Sequence, residues 1–338
     1  MSSAGVDQWL YPTERGLYCA PAGIYIDPAR PVDRAVITHG HSDHARPGHG
    51  AVLATPETVE VMKLRLGVDG AGRYEALRYG EPLDLGGVVL RLVPAGHVLG
   101  SAQVVLEWQG QRAVASGDYK RSADPTCAPF EPVACDVFIT EATFALPVFR
   151  HEAASHEVAR LMSSLRRHPA RAHLVGAYGL GKCQRVIRLC RDAGYDAPIY
   201  LHGAHVEMAA LYDRLGVTLG ELRPVPLDAK PADFAGALVL APPSAISDRW
   251  SRRFPDPVTA FASGWMRIRG RVRQAGIELP LVISDHADWP ELIATAIETG
   301  AQDVWVTHGR DDALVYELGR RGIRARALSL VGFEDEGE

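Results

Sequence analysis

Through its first 145 residues the chain alternates short apolar runs with polar turns. Residues 17–19 and 23–26 lead to Asp27-Pro28, residues 35–38 lead into a run of histidines, and residues 87–93 lead to Pro94-Ala95-Gly96-His97. Further runs at 102–106, 112–115 and 137–140 complete the series, the last ending at Glu141. Short apolar runs bounded by Gly, Pro and Asp are strand signals. The recurring arrangement is a strand with a polar or acidic residue just past its end. That is where α/β folds place their chemistry, on loops along one edge of a sheet.

From about residue 150 the pattern changes. Helical periodicity runs through 156–167 and 183–193, with apolar strands predicted at 172–175, 197–200 and 237–240. Strands alternating with helices predict a parallel sheet. Residues 266–273 alternate with period two, which predicts a strand showing Arg267, Arg269, Arg271 and Arg273 on one face and Met266, Ile268 and Val272 on the other. The last segment returns to the first theme. Residues 281–283 lead to Ser284-Asp285-His286-Ala287-Asp288, a helix is expected over 289–299, and 304–306 lead to Thr307-His308-Gly309. There is no internal repeat, and the acidic tail 334–338 is expected to fray.

At 338 residues, with 47% hydrophobic and 23% charged residues, the chain reads as a soluble protein of two domains. No apolar run approaches the ~18 residues of a membrane helix. The first residues, Met1 to Asp7, lack the basic and apolar regions of a secretory signal. Five cysteines without a C-x-x-C pair indicate neither a disulfide framework nor a zinc ribbon, so a reduced, cytoplasmic protein is expected. A formal charge of −5 argues against wholesale coating of nucleic acid but leaves room for a local basic track.

The densest chemistry lies in Thr38-His39-Gly40-His41-Ser42-Asp43-His44, three histidines and an aspartate within six residues. His39 and His41, two apart in an extended turn, can project to one side. Asp43 and His44 are expected where a helix begins and point in different directions. One pair can therefore hold one ion and the other pair a second, a dinuclear arrangement. His97, Asp118 and His308 add ligand types at three further strand ends. Neutral imidazoles with carboxylates suit Zn²⁺ or Mn²⁺.

His39-x-His41-x-Asp43-His44, then His97, then Asp118, resembles the ordered motifs of the metallo-β-lactamase fold. Glu141, the Ser284 to Asp288 segment and His308 are similar to the further motifs of its β-CASP nuclease branch. Residues 17–19, 25–46 and 116–132 resemble most the bacterial ligase-associated DNA exonucleases. The resemblance implies an α/β fold: a metallo-β-lactamase αββα sandwich of residues 1–145 and 280–338, with an inserted β-CASP α/β domain of residues 146–279. It implies two divalent ions, Zn²⁺ or Mn²⁺. His39, His41 and His97 would hold one, Asp43, His44 and His308 the other, and Asp118 would bridge them. Asp27 and Glu141 would orient ligand histidines, and His286 would lie over the reacting phosphate as a proton donor. His286, Asp43, Asp118 and Glu141 are thus the expected catalytic set. The implied function is DNA exonuclease activity in repair, from a 5′ end, with DNA ligase and helicase as partners and no membrane role.

Gly176-Ala177-Tyr178-Gly179-Leu180-Gly181-Lys182 matches a P-loop pattern, but Cys183 replaces the Ser or Thr that binds Mg²⁺, which argues against an NTPase. The turn serves either as a phosphate contact through backbone N–H groups and Lys182 or as a purely structural turn. The arginine strand is either a phosphate track or an edge strand guarded by charge. Ser263-Gly264-Trp265 is similar to a Gly-Trp segment near the terminal-phosphate pocket of Artemis-class DNA nucleases. The expected nucleic-acid contacts are therefore Lys182, Ser263, Trp265, Arg267, Arg269 and Arg271. A β-CASP ribonuclease is the main alternative. A lactonase-like hydrolase is disfavoured by the large insert, and a non-catalytic metal protein by the complete ligand set.

Overall fold

A computed structural model describes residues 5–226 and 230–330, so the acidic tail lies outside the described residues. The chain divides into two compact units. One comprises the residues up to Arg150 together with those from His286 onward, and the other is His151–Asp285.

The first unit is built on two sheets. Leu10–Thr13, Gly16–Cys19, Ile24–Ile26, Arg34–Val36, Ala51–Ala54 and Tyr74–Ala76 lie side by side in chain order. The second sheet runs Arg324–Ala327, Asp303–Gly309, Val137–Ala142, Gln111–Ala115, Ala102–Trp108, Val89–Pro94, Leu83–Asp84. Apolar side chains on the facing sides form one core, Leu17, Ile24, Val36 and Leu53 with Leu90, Leu92, Val104 and Ile139. Behind the second sheet, Val114, Phe138 and Val304 pack with Leu292 of helix Trp289–Glu298 and Leu314 of helix Asp311–Arg320. Behind the first, Ala35, Val52 and Ala54 pack with Val59 and Met62 of helix Pro56–Leu66. Each sheet buries both faces, giving helix, sheet, sheet, helix in layers. The helix starts carry their own signals. Thr55 Oγ1 accepts from Thr58 N at 3.2 Å before Pro56, and Asp288 with Glu291 forms a capping box.

Strand direction positions the chemistry. Val89–Pro94, Gln111–Ala115, Val137–Ala142 and Asp303–Gly309 all point the same way, so their C-terminal ends share one edge. His97, Asp118, Glu141 and His308 sit at those ends. Gly117 takes φ +56 just before Asp118, and a Cβ there would meet the Thr38 Cβ at 2.7 Å.

The second unit holds an all-parallel sheet, as its alternating pattern predicts. The strand order is Leu222–Pro224, Ile199–Leu201, Leu238–Ala241, His173–Gly176, Val258–Ala262, Leu279–Leu281. Helices Ala154–Arg167, Lys182–Asp192 and Gly203–Arg214 accompany it. The expected boundary at 280 falls inside strand Leu279–Leu281, which pairs with Val258–Ala262.

Residues 266–273 do not form the expected strand. They make a 3₁₀ turn, Gly264–Arg267, and a short helix, Arg269–Gln274. Leu279–Leu281 takes the place beside Val258–Ala262. Arginine is a good helix former, and at about 100° per residue alternate arginines no longer share a face. Helices Pro56–Leu66, Gly203–Arg214 and Asp311–Arg320 are not among the elements the pattern predicts, nor are strands Leu10–Thr13, Ala51–Ala54, Tyr74–Ala76, Leu83–Asp84, Leu222–Pro224, Val258–Ala262 and Arg324–Ala327.

Candidate metal centre

The histidine run leaves strand Arg34–Val36 as a tight turn rather than the start of a helix, with Ala45 N donating to His41 O at 2.7 Å. Pro47 disfavours helical backbone at Arg46, and Ser42 and Asp43 favour turns. The turn brings His41 Nδ1 within 3.1 Å of His39 Nε2 and 3.0 Å of His97 Nε2. Asp118 Oδ2 lies 3.4 Å from His39 Nε2 and 3.8 Å from His97 Nε2. On its other side the same oxygen is 3.4 Å from His44 Nε2, which is 3.6 Å from Asp43 Oδ2. Two ligand groups therefore meet at Asp118: His39, His41 and His97 with it, and Asp43 and His44 with it. His308 stacks on His44 with ring centroids 5.0 Å apart, beside the second group.

The carboxylates behind the histidines fix their orientation. Asp27 accepts from Thr38 N at 2.8 Å and from Thr38 Oγ1 at 2.6 Å, and its Oδ2 lies 2.7 Å from His44 Nδ1. This leaves His44 Nε2 directed at Asp118. Glu141 does the same for His286: its Oε1 accepts from Tyr119 N at 2.7 Å and its Oε2 lies 2.8 Å from His286 Nδ1. The His286 ring stands 4.6 Å from that of His97. Asp118, Glu141 and His286 also converge within ligand distance. Asp27 and His308 adopt φ of 43° and 55°, the left-handed region that costs a residue other than glycine on the order of 1–3 kcal/mol.

Burial drives His39 well below the usual imidazole range, reinforced by the neighbouring His44 and His97. Burial, with His44 beside it, lowers His308 to about 3. His44 feels the same burial, but Asp118, Asp43 and Asp27 outweigh it and hold the imidazole well above its ordinary value. Burial opposes the charge on Asp118, yet His44 and His286 keep it well below the carboxylate range. Burial raises Glu141, partly countered by His286. The donor set fits a divalent cation. His39 and His308 are held in the neutral state that ligation needs, Asp118 is held ionised, and the proton that Asp118, Asp43 and Asp27 hold on His44 stands where a cation would replace it.

The expected nucleic-acid residues divide. Arg267 and Arg269 are exposed, and Arg271 lies with its guanidinium 3.9 Å from the Trp265 ring centroid. Ser263 is buried, capping Trp265 N at 3.2 Å. Lys182 is only 1% exposed, and its Nζ donates to Asp285 Oδ1 at 2.6 Å. Lys182 is spent on a buried carboxylate, the glycine-rich turn opening a helix whose first residue is turned inward, and the Ser263 hydroxyl is engaged by the turn at Trp265. Sequence reasoning missed Thr38, which ties Asp27 to the histidine run, and Arg185, whose Nη1 donates to the Ser284 carbonyl. Neither residue type carries a signal of its own. Asp285 could have been found from its place next to His286. Among the described residues no helix is long and apolar enough to cross a membrane.

The metallo-beta-lactamase superfamily profile matches residues 26–164. The chain is 30% identical over 332 residues to the probable DNA ligase of Opitutus terrae, covering 95% of this chain and 31% of the ligase. It is 29% identical over 226 residues to ribonuclease TTHA0252 of Thermus thermophilus, covering 58% of this chain and 52% of that one. The chain thus spans about a third and about half of these relatives. A crystal structure of a protein of unknown function from Enterococcus faecalis shares the fold, with TM-score 0.59 and 13% identity over 89% of this chain and 80% of that one. The matched residues and the layered sheets give this chain a metallo-β-lactamase domain, and its ligase-named and ribonuclease relatives are consistent with a β-CASP nuclease.

Proposed function

We propose that the chain is a dinuclear-metal-dependent DNA exonuclease acting from a 5′ end in DNA repair. The observation that carries this reading is Asp118 Oδ2, one oxygen shared by two ligand groups. His39, His41 and His97 would hold one ion and Asp43, His44 and His308 the other, as Zn²⁺ or Mn²⁺, with Asp118 between. Two such cations would supply an acidified water and would neutralise phosphate charge. The protein's own groups do the rest. Asp27 and Glu141 hold His44 and His286 in register, and His286, with Nδ1 on Glu141, is the group that gives the leaving sugar oxygen its proton. Residues 146–279 are the β-CASP domain in this reading. Its exposed Arg267 and Arg269, with Arg271 on Trp265, take the phosphate backbone. DNA ligase and helicase are the proposed partners and the cytoplasm the proposed compartment.

Similarity over 95% of the chain to a protein named as a DNA ligase favours DNA. The ribonuclease relative favours the second reading, RNA processing. Purified protein with Mn²⁺ or Zn²⁺ is given labelled DNA and RNA of matching sequence with 5′-phosphate, 5′-hydroxyl or blocked 3′ ends. Faster cleavage of DNA, starting from 5′-phosphate ends and absent on circles, is the expected result. Faster cleavage of RNA moves the assignment to the ribonuclease, and cutting of circles removes the exonuclease.

A further inference from the structure

Helix Lys182–Asp192 turns two cationic residues inward within its first turn. Lys182 and Arg185 are 1% and 3% exposed. Lys182 Nζ donates to Asp285 Oδ1 at 2.6 Å, and Arg185 Nη1 donates to the carbonyl of Ser284. Ser284 and Asp285 are buried and are the last two residues of the second unit, and the next peptide bond leads to His286. A buried ion pair is a poor source of stability, because desolvation offsets most of the attraction, and apolar residues of similar volume serve as well. Such a pair fixes geometry instead: a short, charge-assisted bond permits one arrangement of the segment that bears it.

The geometry points to Lys182 as a positioning residue for His286, acting through Asp285 and assisted by Arg185 on Ser284. The segment 284–286 is then held at both ends, by Lys182 and Arg185 on one side and by the Glu141–His286 contact on the other. This inference rests on the reading of His286 as the proton donor to a leaving sugar oxygen.

The test uses the full chain with Mn²⁺ and two phosphodiesters: a labelled oligonucleotide, whose sugar oxygen needs a proton, and bis(4-nitrophenyl) phosphate, whose leaving group does not. Lys182→Met/Asp285→Leu removes both charges together, so no buried charge is stranded. The expected double variant melts as the parent does and keeps its metal. Its kcat on the oligonucleotide falls roughly 10- to 100-fold, its KM holds, and the nitrophenyl ester is cleaved at the parental rate. Adding His286→Ala to it costs less than about twofold more, because two residues acting through one group are not additive. Lys182→Arg, which keeps the pair at a changed length, gives a smaller loss of the same kind and serves if the double variant does not fold. Parental oligonucleotide turnover, equal losses on both esters, or losses that multiply with His286→Ala each overturn the positioning role. If His286→Ala alone leaves oligonucleotide turnover intact, the proton-donor reading falls and the inference falls with it.

Discussion

Residues 151–285 hold 18 of the chain's 36 Lys and Arg but only 13 of its 41 Asp and Glu, a net of +5, while the rest of the chain carries −10. The formal charge of −5 is therefore the sum of two opposed fields. The acidic unit sets four of its carboxylates, Asp27, Asp43, Asp118 and Glu141, among imidazoles, where they organise ligand atoms. The basic unit leaves Arg267, Arg269 and Arg273 exposed and sequesters Lys182 and Arg185. A polyanion meets repulsion from the first unit unless cations fill its centre, and attraction from the second at any time. In the proposed reading the contrast separates two jobs: chemistry would depend on a loaded cluster, affinity on a surface that needs no loading.

The severest test of that separation is Asp118→Asn. It is expected to lower turnover on the order of 10³-fold or more and to strip both ions in metal analysis, while binding of labelled oligonucleotide in a filter assay persists. Loss of binding together with metal would mean that the two units do not divide the work. Asp27→Asn is milder: His44 loses its orienting carboxylate, so metal affinity falls roughly 10- to 100-fold and excess Mn²⁺ restores the rate. On the basic side, changing Arg267, Arg269 and Arg273 together to Gln is expected to weaken oligonucleotide binding on the order of tenfold at physiological salt. The slope of log affinity against log salt should drop by up to about 3, with kcat and metal content intact. An unaltered slope would deny these arginines a phosphate. The smallest effect concerns stability. Burial, aided by nearby His202, lowers His205 to about 4. The unfolded chain therefore takes up a proton below the ordinary value of 6.5 that the folded His205 refuses until about 4. Its contribution to stability is complete above pH 6.5 and declines as the pH falls toward 4. Between pH 7 and 5.5 the decline amounts to about 1 kcal/mol, read as the difference in urea midpoint between parent and His205→Phe.

The cluster was legible because a metal site writes itself in residue type. Few reasons other than ligation put His39, His41, Asp43 and His44 so close together, and His97, Asp118, Glu141 and His308 each follow or end an apolar strand. Some core strands were legible because burial on both faces leaves continuous apolar runs, as in Val137–Ala142, while Ala51–Ala54, equally buried but half alanine, was not. The arginine segment was not. Alternation over eight residues counts as strand only when a neighbouring strand offers a free edge, and Leu279–Leu281 occupies that edge. Lys182 misled for a related reason. A lysine opening a helix after a glycine-rich turn has the same spelling whether it faces solvent or a buried carboxylate, and only the fold brings Asp285 to it.

The left-handed backbone at Asp27 and His308 has a practical consequence. Glycine would relax both positions. A search for heat-resistant variants that scores folding alone would therefore favour glycine at 308, discarding the ring stacked on His44, whereas at 27 glycine would also strip Thr38 N, Thr38 Oγ1 and His44 Nδ1 of their buried acceptor and gain nothing. For this chain, selection for endurance and selection for activity pull in opposite directions at codon 308 and in the same direction at codon 27.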